Sequence, residues 1–129
     1  LEDSPRPGVV VVDFHAEATS EKQALGWYLD GRVSVVVGTH THVATADHRI
    51  LPKGTAYVTD LGMVGPMNSV IGNEPEDVLE RMLYHTPKRL GIPGGPNRFN
   101  SVVVDIDEGT GLARDIQRVD RVIEENDGS

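Results

Sequence analysis

The chain has 129 residues, enough for one domain at most and large enough in principle to bury its own core. A formal charge of −8 argues against general nucleic-acid binding, which needs clustered lysine and arginine, although a phosphorylated ligand held through bound cations stays compatible with it. The absence of cysteine excludes disulfides and thiolate metal sites and fits a reducing cytoplasm, and no apolar run reaches membrane-spanning length.

Residues 1–8, with Pro5, Pro7 and Gly8 among polar side chains, read as an irregular N-terminal segment. Val9 to Phe14 is a β-branched run that predicts a buried strand ending at His15. Ser20 with Gln23 three residues on predicts a capped helix start, running to about Leu29 with Gly31 as its stop. Val33 to Val37 predicts a second buried strand, followed by Gly38-Thr39-His40-Thr41-His42. Strand, short helix and strand form a crossover unit, so the two strands are expected to be parallel. His15 and His40 then share the carboxyl edge of the sheet, where ligands bind in α/β folds.

Arg49-Ile50-Leu51, Pro52-Lys53-Gly54 and Thr55 to Thr59 predict a hairpin. Residues 60–72 are glycine-rich and predict a long ordered loop. Asn73-Glu74-Pro75-Glu76 opens a second helix whose Val78, Leu79, Met82 and Leu83 form one apolar stripe, closed by Pro87. After a loop from Gly91 to Pro96, Phe99–Asp107 and Leu112–Val119 predict a final hairpin. The core domain thus covers residues 9–123, with a frayed tail over 124–129.

Neutral imidazole is a common ligand for zinc, iron and manganese-type sites. Three histidines at the ends of two valine-rich strands, His15, His40 and His42, therefore predict a metal site. The alternative is a polar strand end whose imidazoles cap backbone carbonyls. His85 falls in the last turn of a helix, where a cation suits the dipole, and reads as structural. His48 reads as a surface residue, close enough to His42 for a substrate contact. Asp105 to Gly111 lacks the ligand register of a calcium loop and reads as a hairpin turn. No phosphate-binding glycine motif and no serine nucleophile elbow is present.

Gly38-Thr39-His40-Thr41-His42 resembles the late G-x-H-x-H box of the calcineurin-like metallophosphoesterases. Asp13 to Lys22, Gly26 to Ser34, Ala44 to Asp47, Ile50 to Tyr57 and Thr59 to Met63 are similar to a bacterial subfamily, the YmdB-type cyclic-nucleotide phosphodiesterases. Asp13-Phe14-His15 also resembles the family's opening D-x-H box. Only 24 residues separate His15 from His40, however, and the intermediate family boxes are not among them. His15 therefore matches the later, single-histidine position, and the chain resembles the C-terminal half of the enzyme.

The resemblance implies an α/β fold, part of a four-layer β-sandwich of the metallophosphoesterase type flanked by helices. It implies metal-dependent phosphodiester hydrolysis at a binuclear site of two divalent iron, manganese or zinc ions, to which this chain contributes His15, His40 and His42. His15 and His40 would hold one ion and His42 the other. The remaining ligands and the histidine acting on the leaving group are expected in an N-terminal half. Expected partners are a phosphodiester or cyclic-nucleotide small molecule, and either that N-terminal half or a second copy of the chain. Two further readings stand beside this one: a non-catalytic half-domain that binds a metal or a partner, and a mononuclear zinc hydrolase with water as fourth ligand.

Overall fold

A computed structural model describes residues 8–124. The N-terminal segment up to residue 7 and the tail from residue 125 lie outside the described residues. In chain order the elements are β1 (Val11–His15), α1 (Thr19–Leu29), β2 (Val35–Thr39), β3 (Arg49–Ile50), β4 (Ala56–Val58), β5 (Val64–Pro66), α2 (Pro75–Tyr84), β6 (Asn97–Phe99), β7 (Val102–Ile106), β8 (Ala113–Arg118) and β9 (Arg121–Ile123). They fall into two compact units. Among the described residues, the first is 8–62 with Ser101–Val119, and the second is Met63–Asn100 with 120–124.

The first unit is built on a four-stranded sheet of order β1-β2-β4-β3. β1, β2 and β4 are parallel, as the crossover spacing predicts for the first two, and β3 returns antiparallel to β4 as the predicted hairpin. Both faces of β2 are buried, which explains its continuous valine run. On one face, Val35, Val37, Ala56 and Val58 pack against Ile116, with Val102, Val104 and Ile106 of the β7–β8 hairpin beside them. On the other, Val36 and Tyr57 pack with Val33, Leu51 and Leu29 of α1. Helix, sheet and hairpin are thus layered as an α/β fold. Each fully buried valine contributes about 1.5–3 kcal/mol to that core.

Gly26 lets α1 close on the sheet, since a Cβ there would lie 2.7 Å from the Tyr57 ring. Ser34 stitches the amino end: its Oγ accepts from Val10 N at 3.1 Å and donates to Gly111 O at 2.5 Å. Near the other end, Arg118 donates to Leu61 O at 2.6 Å, and Val119 N donates to Ser101 O at 2.9 Å. The 105–111 segment is a hairpin turn, in which Asp107 Oδ1 accepts from the amides of Gly109 and Thr110.

The second unit holds the antiparallel sheet β5-β6-β9 and helix α2. Pro75 starts α2 as predicted. The helix stops at Tyr84 rather than running on to Pro87, because His85 turns left-handed at φ 52° and caps it. Its apolar stripe is largely uncovered among the described residues, with Leu79, Met82 and Leu83 between 52% and 68% exposed.

Several elements differ from the sequence reading. β1 begins at Val11 and alternates exposed with half-buried residues instead of being buried, because it is an edge strand paired on one side only. β2 begins at Val35, and the predicted loop over 60–72 contains the strand β5, which pairs with β6. α1 begins at Thr19 with Ala18 as cap residue and makes no side-chain capping bond, so Ser20 is not its cap. Tertiary burial of Lys22 and Gly26 holds the helix instead. β2 runs two residues past Val37, taking in Gly38 and ending next to His40. Phe99 belongs to β6, which pairs with β5 and β9, so the predicted single strand 99–107 is two strands in different sheets. No helix among the described residues is long and apolar enough to cross a membrane.

Candidate metal centre

Parallel pairing of β1 with β2 sets His15 opposite Thr39 at the carboxyl edge of the sheet. This brings the first two predicted histidines together. His15 Nε2 and His40 Nδ1 face one another at 3.0 Å, with their rings edge-on at an interplanar angle of 80°. The partners of the outer nitrogens fix the proton positions. Thr39 Oγ1 gives its proton to Asp13 Oδ1 at 2.7 Å, so it accepts from His15 Nδ1–H at 3.0 Å. That assigns the His15 proton to Nδ1 and leaves its Nε2 lone pair directed at His40 Nδ1. His40 Nε2 lies 2.9 Å from Glu17 Oε2 and donates to it. Its Nδ1 faces His15 Nε2.

This donor set fits a cation. Two ligand nitrogens about 2.0–2.1 Å from one ion stand roughly 2.9–3.4 Å apart at ordinary ligand angles. Each imidazole also has the carboxylate-based support on its far nitrogen that metal-ligating histidines use, directly for His40 and through Thr39 for His15. His42 is exposed beside the pair in sequence, at φ 67°. Among the described residues, no three His, Cys, Asp or Glu side chains gather as a metal-holding group. The structure brings His15 and His40 together.

The loop carrying His40 and His42 is strained and tightly anchored. Both histidines have positive φ, 105° and 67°, in the left-handed region that disfavours side chains. Beneath them, Lys22 of α1 and Asp60 after β4 form a buried ion pair, with Nζ to Oδ2 at 3.0 Å. Lys22 Nζ also donates to Thr39 O at 2.8 Å, and Asp60 Oδ2 accepts from Thr41 N at 3.0 Å. Gly38 allows this closeness, because a Cβ there would lie 1.6 Å from Thr59 O.

Asp47 anchors the far end of the loop. It accepts from Thr45 Oγ1 at 2.7 Å, from Thr59 N at 3.1 Å and from the Thr59 hydroxyl. Burial raises the Asp47 and Asp60 carboxyls, but the hydrogen bonds they accept outweigh it and hold both below the usual carboxylate range. Burial pushes the neighbouring Tyr57 phenol up, with the Asp47 charge adding to it.

His48 Nδ1 is buried without a hydrogen-bond partner among the described residues, so His48 is not the plain surface residue expected. His85 caps α2 and is exposed. A cavity of about 180 Å³ on the helix face is lined by Gln23, Trp27, Asp47, Arg49, Leu51 and Tyr57 and contains none of the three histidines. The sequence alone does not single out Lys22, Asp60 or Glu17. The nearest signal is Asp60 closing a buried strand, where a carboxylate needs a partner.

The family model described as YmdB-like protein matches residues 2–119. The chain belongs to this family. It is 52% identical over 118 residues to the 2′,3′-cyclic-nucleotide 2′-phosphodiesterase of Bacillus subtilis, covering 92% of this chain and 45% of that protein. It is 45% identical to a putative phosphatase/phosphodiesterase of Mycoplasma pneumoniae, covering 78% of this chain and 36% of the relative. Among solved structures, a novel phosphatase from M. pneumoniae matches with a TM-score of 0.86 at 39% identity, over 92% of this chain and 42% of that one. A hypothetical protein from Thermus thermophilus matches with the same TM-score of 0.86 at 43% identity, over 94% of this chain and 47% of that one. The chain spans less than half the length of these relatives.

Proposed function

We propose that this chain carries the histidine side of a metal-dependent phosphodiesterase acting in the cytoplasm on small cyclic-nucleotide-type phosphodiesters. The observation that supports this reading most is the convergence of His15 Nε2 and His40 Nδ1 at 3.0 Å, each ring backed by a carboxylate or its relay. The activity for which the B. subtilis relative is named supplies the substrate class.

In this reading His15 and His40 hold one divalent iron, manganese or zinc ion, and His42 joins the hold on a second. The ions supply Lewis-acid stabilisation of the charge that builds on the phosphate. The chain's own residues orient the ligands. Asp13 and Thr39 keep the His15 proton on Nδ1, and Glu17 takes the outer proton of His40. The other ligands, and the histidine that serves the leaving group, belong to a further part of the domain, N-terminal to this one by resemblance.

Hydrolysis of bis-p-nitrophenyl phosphate and of a 2′,3′-cyclic nucleotide, with manganese or iron added, tests the proposal. This chain alone is expected to give no rate above buffer, and adding the N-terminal half is expected to restore turnover. Absence of turnover even then would sink the enzyme reading. A second reading, a non-catalytic half-domain binding a metal or a partner, is excluded if turnover appears once the N-terminal half is added.

A further inference from the structure

We propose that the buried Lys22–Asp60 ion pair is a positioning device for the histidine loop, acting on His40 through Thr39 and on His42 through Thr41. The inference deepens the metal-dependent reading above and rests on it for its consequence in metal binding. Lys22 and Asp60 are 1% and 0% exposed. One end of the pair, Lys22 Nζ, grips the carbonyl immediately before His40 at 2.8 Å. The other end, Asp60 Oδ2, grips the amide immediately before His42 at 3.0 Å. Asp60 is itself fixed, since its Oδ1 accepts from Gly62 N at 2.9 Å and its own amide donates to Thr45 Oγ1 at 2.9 Å. Three elements meet at the pair: α1 gives Lys22, the segment after β2 gives the histidines, and the end of β4 leads into Asp60.

Fold stability alone is a poor account of this arrangement. A buried ion pair is often no more stabilising than apolar side chains of the same volume, because desolvation offsets the attraction. What the pair does supply is a fixed backbone at two residues that would otherwise leave the left-handed region. Such residues keep an unfavourable φ only where their surroundings over-determine it. The pair holds that backbone from both sides, so the imidazoles stand ready before any ion arrives.

The test uses Lys22→Met in the full chain, compared with wild type at equal folded fraction by circular dichroism. Manganese and zinc affinity measured by calorimetry is expected to fall about 10–100-fold, the range for groups that orient metal ligands. In the metal-free protein the ring ¹⁵N resonances of His40 and His42 are expected to move. Unchanged affinity together with unchanged ring resonances in a folded variant would overturn the proposal.

Should the variant not fold, amide exchange in the wild-type chain decides. The Thr41 amide is expected to be as protected as those of β2 despite lying in a surface loop, and exchange at an unprotected rate would overturn the device. If wild type binds neither ion even with the N-terminal half added, the metal-dependent reading fails. The ring resonances and the Thr41 exchange then still judge the positioning role independently.

Discussion

Gly38 is the residue on which the candidate centre turns. Any side chain at this position meets the Thr59 carbonyl, so Gly38→Ala forces β2 and the segment after β4 apart. Its expected cost is about 3 kcal/mol or more, read from denaturant unfolding; a loss under about 1 kcal/mol would mean the strands separate easily. The carboxylates below the loop make a second prediction at this scale. Asp47 and Asp60 are both held below their ordinary values, so their contribution is fully present above about pH 4–5 and is lost as the pH falls through their folded values. Thermal midpoints measured from about pH 5 down to about pH 2.5 are expected to drop, and Asp60→Asn is expected to flatten part of that drop. A flat wild-type profile would contradict the assignment. The histidines are legible in the sequence because imidazoles at the end of a valine run stand out. Lys22 is not, since a lysine in a helix reads as solvated until the strand packed beneath it is known.

At the level of elements, β1, α1, β2 and the β3–β4 hairpin are legible because each has a local cause: a β-branched run, a crossover spacing or a proline-glycine turn. The split of the predicted 99–107 strand is not. Nothing local in Phe99-Asn100-Ser101-Val102 marks a change of sheet, and the break comes from pairing with β5 and β9, which are distant in sequence. α2 shows the opposite limit. Its apolar stripe predicts a buried face, yet Leu79, Met82 and Leu83 stay open among the described residues. Met82→Gln is therefore expected to change the unfolding free energy of this chain by less than about 0.5 kcal/mol, as at other surface positions. A loss above about 2 kcal/mol in chemical denaturation would show that the stripe is covered after all.

For the molecule as a whole, the uncovered stripe of α2 and the exposed Val9, ahead of β1, and Val11, its first residue, leave apolar surface that folded chains usually cover. The chain is expected to dimerise or to dissolve poorly by itself, and a monodisperse monomer in light scattering would count against this. Metal titration is expected to give at most one tightly held ion per chain, because the assembled histidine pair bears only one junction of ring nitrogens. Two tight ions would contradict it. The path of the chain carries one more consequence. It leaves the first unit at Gly62 and re-enters at Ser101, and Arg118 and Val119 tie the two crossing points to the same strand end. The stretch between them is in effect a graft, and exchanging it for a short flexible bridge should leave the imidazole junction standing.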